Sequence, residues 1–117
     1  GGGVIVSGEA AIFVMQGGVI SGNTVTGGDP WGGGVSLTRG GTFTMEGGTI
    51  YGQAGRLPAG TDASRANSAQ RAGSLYYDLI SMARWGMGGT YTKGGESQTG
   101  GAEIRGTDDT LIALPPK

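Results

Sequence analysis

Cysteine and histidine are both absent from this 117-residue chain. The absence of cysteine excludes disulfides, thiolate zinc sites and cysteine nucleophiles. The absence of histidine removes the commonest general base and the commonest metal ligand. We therefore expect no catalytic residue, no metal site and no cofactor, and we interpret the chain as a non-enzyme.

Charge of either sign and long apolar runs are scarce as well. The 8 basic and 9 acidic residues are scattered singly and give a formal net charge of −1. No run of Lys or Arg would follow a phosphate backbone, so we expect no nucleic-acid partner. No segment reaches the ~18 consecutive apolar residues of a membrane span. No signal peptide is visible and the chain begins within a glycine-rich pattern, so we interpret it as a fragment whose targeting sequence would lie upstream.

Glycine is the residue in excess, at 28 of 117 positions, whereas average usage is about 7%. It does not recur at every third position, which excludes a collagen helix. The glycines fall in pairs and triplets between short β-branched and aromatic runs. Because glycine adopts positive φ at sharp bends without steric cost, this pattern predicts short strands joined by tight corners.

The chain also contains an internal repeat. Residues 2–23 and 33–53 match closely, with one extra residue between the first two predicted strands of the first copy. Self-similarity of this period is typical of solenoids and propellers. Each copy predicts three strands, over 4–6, 12–15 and 19–20 in the first copy and over 35–37, 42–45 and 49–50 in the second.

Alternation along these strands assigns their faces, because neighbouring side chains of a strand point in opposite directions. Ile5, Ile12 and Val14 break the alternation, and either a neighbouring segment covers them or they lie on an outer face. The predicted inward residues are Val4, Val6, Phe13, Met15, Ile20, Val35, Leu37, Phe43, Met45 and Ile50.

A degraded third copy is predicted downstream. Residues 72–77 resemble a first strand, and residues 88–95 echo residues 40–44. Lys93 then stands where the second copy has the inward Met45, so we expect the core to end near this point. Residues 73–117 are interpreted as a degenerate rung with a C-terminal cap, because a solenoid needs a polar end. Residues 111–114 could form a final strand over the open end.

Two segments between the repeats are less regular. Residues 54–72 are small, polar and aperiodic, which predicts a surface loop. Residues 74–77 favour a strand, whereas Leu75, Leu79 and Ala83 fall at helical spacing. The choice between strand and helix therefore stays open for residues 78–85.

The motif Gly-Gly-Gly-Val-x-Val, followed by Phe-x-Met-x-Gly-Gly-x-Ile-x-Gly, resembles the repeats of glycine-rich bacterial surface proteins. Many members of that group look like right-handed β-helices of the pectin-lyase-like class. The resemblance covers residues 2–53 closely and residues 72–114 loosely. It implies an all-β fold, a right-handed parallel β-helix of about three rungs, with an inserted loop and a C-terminal cap. The repeat motif itself carries no catalytic residue.

The acidic residues do not form a catalytic pattern. Glycosidases need two carboxyl groups about 5–10 Å apart, whereas most acids here are isolated and Gln16 stands opposite Glu46. Asp108 and Asp109 are the one adjacent pair, which we interpret as a solvated turn. Gly27 to Pro30 has the wrong spacing for a calcium-binding repeat and is read as a turn. The isolated acids are Glu9, Asp29, Glu46, Asp62, Asp78, Glu96 and Glu103.

Aromatic and amide side chains supply the remaining candidates. Trp31 and Tyr51 are the predicted binding residues, since an aromatic face can stack on a sugar ring. Trp85 shares that chemistry, and packing at a corner is the alternative for all three. Asn23 and Gln53 occupy matching corners, where stacked amides hydrogen-bond between rungs, and we interpret them as structural.

The function predicted from these observations is a structural or adhesive repeat module of a bacterial cell-surface protein, located outside the cell. A glycan or a host-matrix protein would be its partner. A glycan-binding module and a fragment of a carbohydrate-active β-helix enzyme are the alternatives. Exposed strand edges at the ends of the stack also predict end-to-end self-association.

Overall fold

The structure, a computed structural model, describes residues 2–26, 32–70 and 72–115. Within these residues the fold is all-β, with eleven strands, one 3₁₀ turn at Ala63–Arg65 and no α-helix. The strands are β1 (Val4–Ser7), β2 (Ile12–Met15), β3 (Val19–Ile20), β4 (Val35–Thr38), β5 (Thr42–Met45), β6 (Gly48–Ile50), β7 (Leu75–Tyr77), β8 (Met82–Trp85), β9 (Thr90–Lys93), β10 (Glu96–Gln98) and β11 (Leu111–Leu114).

The strands form three sheets. Two are three-stranded and wholly parallel, with the orders β1-β4-β7 and β2-β5-β8. The third has five strands in the order β10-β9-β11-β6-β3. Each sheet contains one strand from the first copy of the repeat and one from the second, so these two copies lie on one another as layers, and later strands add to them. We define layer 1 as β1–β3, layer 2 as β4–β6, and layer 3 as β7, β8 and β11.

The register places equivalent residues of successive copies side by side. Val4 pairs with Val35, and Phe13 pairs with Phe43. The two phenylalanine rings stack with their centroids 5.3 Å apart and their planes at 17°. The corners are equivalent too, because Gly18 and Gly48 both have positive φ, at 88° and 94°. The six strands predicted from the repeat are thus confirmed.

The predicted inward residues form most of the core. Val6, Met15, Val35, Leu37, Phe43, Met45 and Ile50 are all buried. Val4, Phe13 and Ile20 point the same way but are only half-buried, because their layer lies at an edge. Ile5, Ile12 and Val14 are 60%, 69% and 44% exposed. Of the two alternatives for these three residues, the outer face is therefore correct.

The third layer differs from its prediction. β8 pairs with β5, so Trp85 and not Lys93 stands beside Met45. The predicted equivalence of residues 88–95 with the second strand is wrong, since that segment contains β9, which forms a hairpin with β10. Residues 78–85, for which both strand and helix were considered, form a turn followed by strand β8. The strand favoured over residues 74–77 is confirmed as β7. Leu79 is fully exposed, which excludes a helix face there.

The C-terminal strand completes layer 3. β11 lies between β6 and β9 and runs antiparallel to both. Leu111 and Ala113 are buried there, so this strand belongs to the sheet and does not lie over an open end. The segment before it crosses the free edges of β7 and β8 through the bridges Thr107–Leu75 and Glu103–Arg84.

The segment at 54–72 is exposed over only part of its length. Residues 54–56 and 62–65 are exposed, whereas Asn67 is fully buried and Ala69 is 6% exposed. Asn67 and Ser68 lie against Asn23 and Thr24 of layer 1, with a parallel bridge between Thr24 and Ser68. The predicted surface loop is therefore wrong for its last part, which packs as a corner of the stack.

Candidate functional site

A buried asparagine joins the corners where Asn23 and Gln53 were singled out. The Nδ2 group and the backbone N–H of Asn23 both donate to Oδ1 of Asn67, each at 3.1 Å. Nδ2 of Asn67 in turn donates to the carbonyl oxygens of Ile20 at 2.9 Å and Tyr51 at 2.7 Å. The amide stack therefore runs from Asn23 to Asn67, a residue that the sequence analysis placed in a loop.

Gln53 makes a separate contact with the same segment. Its Nε2 group donates to the carbonyl of Ala69 at 3.1 Å, and its Oε1 accepts from the Ala69 N–H at 3.2 Å. Both corner amides are thus occupied by backbone or by another amide, which agrees with their structural interpretation.

Of the two predicted binding residues, the structure describes only Tyr51, because Trp31 lies outside the described residues. Tyr51 follows β6, is half-buried, and its backbone N–H donates to the carbonyl of Ile20 at 3.1 Å. Trp85 is 1% exposed and stacks on Tyr91, with ring centroids 5.2 Å apart. Trp85 therefore packs in the core and cannot offer a face to a sugar.

A cleft of 720 Å³ lies beside Trp85, on the side where β2, β5 and β8 end. Pockets of about 300–1,000 Å³ are large enough for small ligands. The polar side chains that line it are Gln16 after β2, Thr44 within β5, Glu46 after β5 and Arg84 within β8. The exposed side chains of Met87 and Pro115 supply apolar surface, whereas Trp85 and Tyr91 border the cleft from the core and are each only 1% exposed. The cleft could not be predicted from the sequence, because two of its lining residues lie on β8 and the pairing of β8 with β5 was not foreseen.

The polar groups of the cleft are arranged by the repeat. Gln16 and Glu46 occupy equivalent positions, and Nε2 of Gln16 lies 3.5 Å from Oε1 of Glu46. Nη1 of Arg84 donates to the carbonyl of Gly101 at 3.3 Å. Glu46 is the one acid among the described lining residues, so the cleft lacks the paired carboxyl groups of a glycosidase. What these groups can do is hydrogen-bond to hydroxyl or amide groups of a ligand.

The adjacent carboxylates Asp108 and Asp109 are used within the fold. Oδ1 of Asp108 accepts from the Gly73 N–H at 2.7 Å. Oδ1 of Asp109 lies 3.3 Å from Nη1 of Arg56. The pair therefore serves as a turn that holds the C-terminal segment, as predicted.

Other acids are local acceptors as well. Oδ1 of Asp78 accepts from the Ser81 hydroxyl at 2.6 Å, and its Oδ2 accepts from the Arg39 N–H at 2.8 Å. The Ser81 hydrogen bond, with backbone N–H donors, holds the pKa of Asp78 below its ordinary value. Asp62 accepts from the Ser64 N–H, which lowers the pKa of Asp62 in the same way. Asp29 lies outside the described residues.

In contrast to these two aspartates, Tyr77 has a pKa that is raised by burial and by an acidic neighbour. Its hydroxyl donates to Oε1 of Glu103 at 2.9 Å. Partial burial first, and then this hydrogen bond, raise the pKa of Tyr77. The pair ties β7 to the segment that crosses its edge, so it is a structural contact.

Within residues 2–26, 32–70 and 72–115, no group of three or more acidic side chains is placed to hold a metal ion. The same residues include no helix long and apolar enough to cross a membrane. Comparison with protein-family models, with curated proteins and with solved structures finds no match to this chain. The resemblance to glycine-rich surface proteins thus stays a prediction from the sequence motif.

Proposed function

We propose that the chain is a right-handed parallel β-solenoid of three rungs, which are the three layers defined above, with the third rung completed by the antiparallel strand β11. The observation that carries this proposal is the register. Val4, Val35 and Leu75 are neighbours in one sheet, and Met15, Met45 and Trp85 are neighbours in another. Stacking of repeat on repeat with apolar residues in line is the arrangement expected of a solenoid.

As a function, we propose a structural or adhesive module of a bacterial cell-surface protein. A stack of short strands with many inter-strand hydrogen bonds is stiff, and its corners project segments such as 54–66 outward. The dispersal of the acids among turns and ion pairs supports a role without catalysis. A glycan or a host-matrix protein is the proposed partner, and the proposed location is outside the cell.

A glycan-binding module is the second candidate, and the cleft is the observation that favours it. Gln16, Glu46 and Arg84 bring an amide, a carboxylate and a guanidinium to one opening. These groups suit the hydroxyl groups of a sugar, because each can donate or accept hydrogen bonds in a fixed direction. The apolar part of the lining would contact the sugar ring through its C–H faces.

A binding screen against arrayed glycans and host-matrix proteins, at two salt concentrations, tests both candidates. Loss of a saturable signal in Trp31→Ala or Tyr51→Ala would locate adhesion on the outer loops. Loss in Glu46→Ala or Arg84→Ala would locate it in the cleft. Glu96→Ala and Arg105→Ala remove the same charges from exposed positions outside the cleft lining and serve as matched controls. A folded chain that binds nothing would contradict adhesion and leave a spacer role.

A further inference from the structure

The cleft beside Trp85 lies where a column of side chains stops. Gln16 and Glu46 follow β2 and β5 at equivalent positions, and the next residue in this column is Gly86, which follows β8. Because Gly86 has no side chain, the third layer leaves a gap next to Glu46. A Cβ placed at Gly86 would stand 2.9 Å from Cγ of Glu46 and 2.9 Å from Oη of Tyr91. The lining residues come from all three layers, so the cleft opens on the side of the stack and not at one of its ends.

Arg84 and Glu46 both line this cleft, yet they do not pair with each other. The guanidinium of Arg84 is held at two atoms, since Nε donates to Sδ of Met82 at 2.9 Å and Nη1 donates to the carbonyl of Gly101 at 3.3 Å. Among the described residues, Nη2 of Arg84 has no acceptor and Oε2 of Glu46 has no donor, while Oε1 of Glu46 has the 3.5 Å contact with Gln16. The cleft therefore offers a charged donor and a charged acceptor that the described fold leaves unused.

The indole of Trp85 adds a buried donor. Among the described residues, its Nε1 is the one buried side-chain polar atom without a hydrogen-bond partner. Buried polar groups of folded proteins are nearly always hydrogen-bonded, so an orphan of this kind needs an explanation. Trp85 borders the cleft and stacks on Tyr91, with ring centroids 5.2 Å apart, which fixes the plane of the indole. We therefore expect the missing acceptor to come from a ligand in the cleft.

The combination of these groups defines the chemistry of the ligand. The charges of Arg84 and Glu46 cancel, so the cleft favours a neutral group that carries both an acceptor and a donor. The exposed side chain of Met87 adds apolar surface beside them. An acetamido group has the three matching parts, namely a carbonyl oxygen, an N–H and a methyl group, whereas a hydroxyl group lacks the apolar part. A peptide amide is substituted on both sides, but an acetamido group ends in its methyl and fits a gap left by the single missing side chain of Gly86.

We propose that the cleft binds an N-acetylated amino sugar through its acetamido group. The carbonyl oxygen accepts from the donors Arg84 and Trp85, the amide N–H donates to the carboxylate of Glu46, and the methyl group lies against Met87. Hydrogen bonds to charged groups are the stronger ones, so the contacts with Arg84 and Glu46 supply most of the selectivity. The proposal rests on the glycan-binding candidate above and names the class of sugar that this site prefers.

Titration calorimetry of the whole chain with three trisaccharides of one linkage tests the proposal. The trimers of N-acetylglucosamine, glucosamine and glucose differ only at the second carbon, which carries an acetamido, an ammonium or a hydroxyl group. The acetylated trimer is expected to bind at least about tenfold more tightly than the glucose trimer. A site built to hydrogen-bond an amide rejects an analogue that leaves its buried polar groups unpaired.

Variants and the indole signal place the acetamido group within the cleft. Glu46→Ala and Arg84→Ala should each weaken binding of the acetylated trimer about tenfold and remove its advantage over the glucose trimer. Glu96→Ala and Arg105→Ala remove the same charges from exposed positions outside the cleft lining and should change neither quantity. In nuclear magnetic resonance spectra, the Nε1–H signal of Trp85, assigned with Trp31→Phe, should shift to higher frequency and exchange more slowly with water when the acetylated trimer binds.

Equal affinity for the three trimers, or an indole signal of Trp85 that stays unchanged at saturation, would overturn acetamido recognition and leave the glycan-binding candidate standing. An N-acetylated amino acid amide that binds as tightly as the acetylated trimer would overturn the sugar as the ligand. A folded chain that binds no sugar at all would refute the glycan-binding candidate as well. If an alanine variant unfolds, the three trimers and the indole signal of the unaltered protein decide.

Discussion

Phe13 and Phe43 are the same residue at the same position of two copies of the repeat, yet Phe43 is fully buried and Phe13 is half-buried. Layers 1 and 2 thus form an internal comparison in which the inward residues are nearly the same and in register, whereas the number of covering layers differs. Differences between equivalent substitutions therefore measure what stacking contributes.

The largest difference is expected for the phenylalanine pair itself. Phe43→Ala should lower the free energy of unfolding by about 3–5 kcal/mol, the usual cost of emptying a buried aromatic site. Phe13→Ala should cost only ~1–2 kcal/mol, because part of the ring already contacts water. Urea titrations of the two variants measure both values. Equal costs would contradict the position of layer 1 as the outermost of the described layers.

The amide corner extends the comparison to Asn67, which lies between β6 and β7 in the chain and donates hydrogen bonds to the carbonyls of Ile20 and Tyr51. Asn67→Ala leaves the carbonyls of Ile20 and Tyr51 without this donor and should destabilise the fold by about 2–3 kcal/mol. Gln53→Ala removes two bonds to the backbone of Ala69 in a less buried place and should cost ~1 kcal/mol. Thermal unfolding of the two variants checks the order, and a costlier Gln53→Ala would refute the central role of Asn67.

A comparison of the corner glycines Gly18 and Gly48 separates the effect of steric contact from the effect of backbone strain. Gly18 and Gly48 have similar positive φ, so alanine at either position should cost roughly 1 kcal/mol in strain. At Gly48 a Cβ would also stand 2.6 Å from the carbonyl oxygen of Gly18, whereas at Gly18 it would meet nothing within 4 Å. Gly48→Ala should therefore be the more destabilising in chemical denaturation. Identical denaturation midpoints for the two variants would show that layer 1 makes no close steric contact with the corner at Gly48.

The smallest effect concerns pH. The folded-state pKa of Asp78 lies below its ordinary value of 3.8, chiefly through the Ser81 hydrogen bond. Its contribution to stability is therefore present above that value and is lost as the pH falls through the folded pKa. Asp78→Asn should reduce the dependence of stability on pH in this acid range. Acid titrations of the wild type and of Asp78→Asn, followed by circular dichroism, measure this difference, and identical curves would contradict a stabilising role for the Asp78 carboxylate.

The repeat predicted layers 1 and 2 because each of their strands is present twice with the same spacing. In layer 3 it predicted β7 but missed β8, where Ala83 and Trp85 replace Phe43 and Met45 and share little with them in size. The glycine pairs at residues 88–89 and 94–95 resemble those that flank the second strand of the repeat. The strand between them is β9, which forms a hairpin with β10. Local pattern cannot distinguish these outcomes, since the pairing of β8 depends on what fills the core.

The amide corner at Asn67 and the cleft could not be predicted from the sequence for a related reason. Asn67-Ser68 resembles Asn23-Thr24, and that short similarity was the signal that could have placed Asn67 at the corner. The cleft combines Gln16, Glu46 and Arg84 from three layers, so it follows only from the register of all three. The predicted contact of Trp31 stays a prediction.

Disulfide trapping between layers tests the in-register stack most directly, because the chain has no cysteine of its own. Val14 and Thr44 are register partners on an outer face, and adjacent strands about 4.8 Å apart allow a disulfide between them. Val14→Cys/Thr44→Cys is predicted to form an intramolecular bond on mild oxidation, whereas Val14→Cys/Thr42→Cys, two residues out of register, is not. Failure of the first pair, or equal oxidation of both, would contradict the layered register on which the account depends.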